Sequence, residues 1–227
     1  MPTPPRIALL DLIATLSFKL GDFTLASGQK SDYYIDCRTT TLHAEGGRLA
    51  GIVFYDLIRQ HTPHAVAVGG LTMGADPLVS NTASASAWAL AEYNEIAELS
   101  SSLMNDDPSF VDLDPGPKPA LIHGFLVRKA EKAHGTGRRV EGFLHPGAPV
   151  VIVDDVCTTG GSTITAIEAT RDAGMTVAGV LCLVDREQGG RLNIERALAE
   201  VPSDREIPFH SVYTAKDVRR AHLALKK

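Results

Sequence analysis

Short apolar runs alternate with amphipathic stripes along most of this chain, and that alternation limits the fold more than any other feature. Ala65–Val68, Phe125–Val127, Val150–Val153 and Val177–Val184 are apolar on nearly every position and short enough to be buried strands. A last strand is predicted at Phe209–Tyr213. Between them, Leu49, Ala50, Val53, Phe54, Leu57 and Ile58 follow helical spacing and predict a helix packed on a core. Further helices are predicted over Ile7–Leu20 with Gly21 as a stop, over Ile164–Ala173 before Gly174, over Arg191–Glu200 and over Asp217–Leu225. Asp76 and Pro77 suit an N-cap and the first helical position, opening a helix that carries Trp88 into the core. Strands apolar on both faces and joined by helices make βαβ units and a parallel sheet. The expected class is therefore α/β, a central, mostly parallel sheet flanked by helices.

Such sheets bind ligands at the carboxyl ends of their strands. Three predicted strand ends carry polar chemistry here: Arg128-Lys129, Asp154-Asp155 and Asp185-Arg186. Two segments break the pattern. Ser100–Pro119 is rich in Ser, Asp and Pro and is expected to be an exposed, acidic loop or insertion. Residues 130–148 hold several cations and glycines with little apolar periodicity, as a mobile loop would. All 227 residues are read as a single domain.

A formal net charge of −5 argues against a general nucleic-acid surface, which needs a basic face. No run of eighteen apolar residues suggests a membrane span, and Asp11 interrupts the first apolar stretch, so no signal peptide is read. Cys37, Cys157 and Cys182 lie far apart without metal spacing, as expected of cytoplasmic thiols. His61 and His64 flank a proline turn with nothing to complete a metal site.

The most informative string is Val150–Thr163, VVIVDDVCTTGGST. Gly160 and Gly161 allow close backbone approach to a ligand. Successive amides and a following helix N-terminus form an anion cradle, to which Thr158, Thr159, Ser162 and Thr163 add hydroxyls. Asp154 and Asp155 would repel a bare phosphate. They suit a ligand that also presents hydroxyls or a metal, and a ribose 5-phosphate unit carries phosphate and hydroxyls together. No Gly-Lys-Ser/Thr follows, which excludes a nucleotide P-loop.

This string resembles the phosphoribosyl-pyrophosphate signature of the type I phosphoribosyltransferases. Other segments resemble the orotate phosphoribosyltransferase family: Phe23-Thr24-Leu25 with Ser27-Gly28, Asp32-Tyr33-Tyr34-Ile35-Asp36, Thr41-Leu42-His43 and Gly74-Ala75-Asp76-Pro77. Arg128-Lys129 through His134-Gly135 resembles its mobile-loop motif, and Asp185-Arg186 its strand-end pair. The resemblance covers most of the chain outside Ser100–Pro119. It implies a five-stranded parallel core, a small hood built mainly from residues 1–40 and the C-terminal part, and a mobile loop over the site. It departs at two places. Ala26 and Thr72-Met73 stand where other branches carry lysines, so Gly69–Gly74 are expected to offer backbone amides instead.

The implied activity is transfer of ribose 5-phosphate from phosphoribosyl pyrophosphate to orotate. Asp154 and Asp155 are assigned to the ribose hydroxyls. Val156, Cys157, Thr158, Thr159, Gly160, Gly161 and Ser162 are assigned to the 5-phosphate. Arg128, Lys129, Lys132 and His134 are assigned to pyrophosphate, with Lys132 supporting the leaving group. Tyr34, Ile35, Thr158 and Arg186 are assigned to orotate; a guanidinium matches its carboxylate with two parallel hydrogen bonds. Magnesium (Mg2+) is expected to be held mainly by the substrate, with Asp154 or Asp155 reaching it through water and no residue assigned as a direct ligand. The resemblance also implies a homodimer that shares the loop. The rivals are a phosphoribosyltransferase acting on a purine or uracil, and a regulator that senses phosphoribosyl pyrophosphate.

Overall fold

The computed structural model describes residues 3–24, 30–106, 114–129, 139–200 and 207–225. The chain opens with α1 (Pro5–Leu12) and a π-helical turn (Ile13–Ser17). A hairpin follows, β1 (Phe18–Thr24) antiparallel to β2 (Lys30–Ile35). Next come α2 (Arg38–Thr41), α3 (Ala44–His61), β3 (Ala67–Leu71) and α4 (Asp76–Asp106). The remainder is β4 (His123–Val127), β5 (Val140–Gly142), β6 (Pro149–Cys157), α5 (Gly161–Asp172), β7 (Thr176–Asp185), α6 (Gly190–Ala199), β8 (Phe209–Thr214) and α7 (Ala215–Ala224). Strands β3 to β8 make one sheet in the order β5-β4-β3-β6-β7-β8, parallel throughout except for the antiparallel edge strand β5. Among the described residues no helix is long and apolar enough to cross a membrane.

Strand β6 lies near the sheet's centre, and its period of two divides its side chains between two cores. Val151 and Val153 face a cluster with α1, α3, α4 and α7. Val150 and Ile152 face a second cluster with Ala166 and Ile167 of α5 and Ile194 and Leu198 of α6. Burying each such side chain contributes about 1.5–3 kcal/mol, so residues 150–153 must be apolar on both faces. Polar residues enter only at the carboxyl end. There the same alternation sends Asp154 toward α5 and Asp155 toward α2 and the hairpin.

Several expectations are corrected. The first helix ends at Ser17, not Leu20, because Phe18 pairs with Ile35 across the hairpin and packs against Tyr33 and His222. Asp76 is the first residue of α4 rather than its cap. That helix runs on to Asp106, so Ser100 and its neighbours are helical, not loop. Weak helix formers join an established helix cheaply, since nucleation is already complete. Residues 107–113 of the supposed insertion lie outside the described residues. Trp88 is 60% exposed rather than core, because Ala85 and Ala89 face inward on that turn. Residues 140–142, expected in a mobile loop, form β5, with Val140 buried; a three-residue strand is too short to show a period. The last helix starts at Ala215, where Thr214 and Asp217 form a capping box that placed the start two residues early.

Candidate active site

The sheet's carboxyl end opens into a cavity of about 500 Å³. The hairpin side supplies Tyr34, Ile35, Asp36 and Arg38. The β3–α4 turn supplies Leu71–Gly74, the end of β4 supplies Lys129, and the β6–α5 connection supplies Asp155, Val156 and Ser162.

The β6–α5 turn is held from behind. The Cys157 carbonyl accepts from the Arg186 amide at 2.9 Å, and the Thr158 carbonyl from the Gly190 amide at 3.1 Å. The Thr159 carbonyl accepts from Asn193 Nδ2 at 3.0 Å. With these carbonyls bonded to residues of the β7–α6 connection and α6, the turn is held on that side, the first-turn amides of α5 lack helical acceptors as at any helix start, and Ser162 reaches the cavity wall. Gly160 makes the turn possible at φ +83, with Gly190 and Ile194 so close that an added Cβ would lie 2.9 Å from each. Cys157 is buried beneath this turn, as a filler and not an exposed nucleophile.

The two acids occupy different environments. Asp154 is buried and accepts a 2.6 Å hydrogen bond from Thr163 Oγ1. Burial pushes its carboxyl up to about 7, with the Thr163 bond opposing and the charge of Asp155 adding to the rise. Asp155 lines the cavity, and burial raises it too, while the Val156 amide and Arg38 favour its ionised form. The Gly74 backbone lies against it; a Cβ there would come within 2.4 Å of Asp155 Oδ1.

Of the residues expected in the site, Tyr34, Ile35, Lys129, Asp155, Val156 and Ser162 share the cavity wall. Thr158, Thr159, Gly160 and Gly161 form the adjoining turn, and Asp154 lies behind it. Arg128 stands apart, with its Nε 3.3 Å from Glu141 Oε1 on β5. Arg186 is buried under the hairpin. Its guanidinium lies 4.7 Å from the Tyr33 ring centre and its Nη2 donates to Ser31 Oγ at 3.3 Å. Its Nε has no hydrogen-bond partner, and no carboxylate among the described residues pairs with it. A simple surface ion pair is thereby excluded for Arg186. Gly69 and Gly70 are interior β3 positions packed against Phe125 and the Val153 carbonyl, so they do not offer amides to a ligand. Leu71–Gly74, including the cis Thr72–Met73 peptide bond, are the parts of that segment at the cavity. Ala26, Lys132 and His134 lie outside the described residues.

Sequence reasoning missed Asp36 and Arg38 as site residues. The available signal was an acid and an arginine two positions apart just after the Tyr33-Tyr34 strand. Asp36 is held low chiefly by its hydrogen bond from Arg38.

The phosphoribosyl transferase domain family matches this chain over residues 127–202. An orotate phosphoribosyltransferase of Aquifex aeolicus is 37% identical over 216 residues, covering 94% of this chain and 97% of the relative. The structure of Mycobacterium tuberculosis H37Rv orotate phosphoribosyltransferase in complex with Fe(III) dicitrate is 33% identical, with TM-score 0.68, covering 95% of this chain and 99% of that one. The same enzyme in complex with 5-phospho-alpha-D-ribosyl 1-diphosphate is 28% identical at TM-score 0.62, covering 96% and 93%. With a signature turn, a hairpin hood and a full-length relative above one-third identity, the chain belongs to the orotate phosphoribosyltransferase family.

Proposed function

We propose that this protein transfers ribose 5-phosphate from phosphoribosyl pyrophosphate to orotate, giving orotidine 5′-monophosphate and pyrophosphate. The observation that carries the substrate choice is Arg186. A buried guanidinium with an unused Nε and no carboxylate partner among the described residues is costly on its own. A ligand carboxylate placed under the hairpin relieves that cost, and neither uracil nor hypoxanthine has one.

In the reaction, the C1–O bond to pyrophosphate breaks with its electron pair going to pyrophosphate, N1 of orotate bonds to C1, and the N1 proton passes to solvent or to the departing pyrophosphate. Residues 157–162 hold the 5-phosphate on rigid backbone. Asp155 takes the ribose hydroxyls at the cavity wall, and Asp154, buried on the opposite face of β6, braces the turn through Thr163. Lys129 and the 130–138 segment, with Lys132 and His134, meet the departing pyrophosphate. Holding both reactants in line removes much of the entropic barrier.

Magnesium is part of this reading. Asp155 is the cavity carboxylate not already gripped by arginine. That suits an ion carried on substrate oxygens with Asp155 as its protein neighbour; it neutralises pyrophosphate charge when bound. The reading includes a homodimer that shares the loop, for which exposed Trp88, Leu42 and Leu121 are candidate contact positions. Three buried free thiols support a reducing, cytoplasmic setting.

The test is pyrophosphate release from phosphoribosyl pyrophosphate and magnesium with orotate, uracil or hypoxanthine as acceptor. Release with orotate alone is expected. Release only with hypoxanthine would overturn the substrate assignment.

A further inference from the structure

The cavity wall holds two cations among the described residues, Arg38 and Lys129, against two acids, Asp36 and Asp155. A pyrophosphate-bearing substrate brings several negative charges into a wall that is formally neutral. Met73 lines the same wall and supplies no charge.

Arg38 is built to meet such a ligand. Asp36 grips it from behind through two parallel bonds, Nε to Oδ1 at 2.8 Å and Nη2 to Oδ2 at 2.7 Å. The Arg38 amide also donates to Asp36 Oδ1 at 3.1 Å. Asp36 is itself fixed, its amide donating to the Ser17 carbonyl at 3.0 Å. The fork uses Nε and Nη2, so Nη1 is not engaged by it. The side chain keeps 43% of its exposure, and the residue lines the cavity. An arginine already held in one rotamer loses little entropy on binding an anion, and its planar donors suit phosphate oxygens.

We propose that Arg38 is a substrate-contacting residue that binds the pyrophosphate group of phosphoribosyl pyrophosphate and fills the cationic role that Ala26 and Met73 leave open. The inference deepens the reading above and rests on it. The competing role is a brace that merely fixes the hairpin to α2.

The experiment measures binding of inorganic pyrophosphate, with magnesium, and of orotate separately, in the full chain carrying Arg38→Met. Loss of a charge-assisted contact is expected to weaken pyrophosphate binding on the order of 10- to 100-fold. Orotate affinity is expected within about threefold of the parent, with the melting temperature preserved. Adding Met73→Lys to Arg38→Met is expected to restore at least about tenfold of the loss, by returning a cation to the same wall. Unchanged pyrophosphate affinity, or equal weakening of both ligands with a lowered melting temperature, overturns the proposal. Met73→Lys alone, at a 68% exposed position, covers the case where Arg38→Met does not fold. It should gain less than about threefold if Arg38 already fills the role, and a gain of tenfold or more overturns the proposal. A parent protein that releases no pyrophosphate with orotate defeats the functional reading instead, which separates the two failures.

Discussion

Replacing Thr163 with valine keeps the shape of the side chain and deletes the hydroxyl that donates to Asp154 at 2.6 Å. Asp154 is buried, and its carboxyl is pushed up to about 7, with the Thr163 bond working against that rise. A hydrogen bond to a charged group is worth about 1.5–3 kcal/mol, against about 0.5–1.5 kcal/mol for a neutral one. The difference, about 1 kcal/mol, is close to one pH unit. Thr163→Val should therefore raise Asp154 by roughly one further pH unit. The sign of the stability effect follows from proton binding. An unfolded aspartate titrates near 3.9, so between about 4 and about 7 the folded protein holds the extra proton. This group's contribution to stability therefore falls as pH rises through that window and levels off above it. In the variant the fall should continue past 7. The expected cost of Thr163→Val is about 1 kcal/mol at pH 5, where the carboxyl is protonated, and about 2 kcal/mol at pH 9. Urea denaturation at intervals from pH 5 to 9 measures this, and carboxyl NMR titration locates the proton. A cost that is the same at both ends, or larger at pH 5, would refute the assignment of Thr163 as donor to an ionised Asp154.

Gly74→Ala places a methyl within 2.4 Å of Asp155 Oδ1 and should displace that carboxylate. Turnover is expected to drop at least about tenfold with small change in melting temperature, given that a misplacement of about 1 Å can cost about 100-fold; normal turnover would show Asp155 plays no part. Gly160→Ala combines a left-handed backbone with contacts at 2.9 Å to Gly190 and Ile194, and should cost about 1–3 kcal/mol in urea denaturation. Lys132→Ala should lower turnover far more than stability, and mixing it with Asp155→Asn should return partial activity if the loop is shared between subunits. Near-normal turnover of Lys132→Ala sinks its role, and no recovery on mixing sinks loop sharing.

Much of this fold is legible in the sequence because a parallel sheet must be apolar on both faces. Four of its central strands show as short apolar runs, and the glycine-containing turn after β6 shows as a motif because few other residues permit that backbone. The edge strand β5 and the C-terminal half of α4 escape, since three residues carry no period and Ser-rich composition mimics a loop. Within the site, the string Val150–Thr163 on its own predicts an anion cradle beside two acids, and Arg186, just after β7, predicts a place for a carboxylate. Only the tertiary structure separates the acids. β6 continues through Cys157, so adjacent aspartates must point to opposite faces, one to Thr163 and one to the cavity. Only the tertiary structure brings Arg38 to Asp155, because that proximity arises from the hairpin and α2 folding over a sheet end more than a hundred residues away in the chain. Periodicity is a local property and survives in sequence; the direction a side chain finally faces, and what stands opposite it, depends on contacts that no local pattern records.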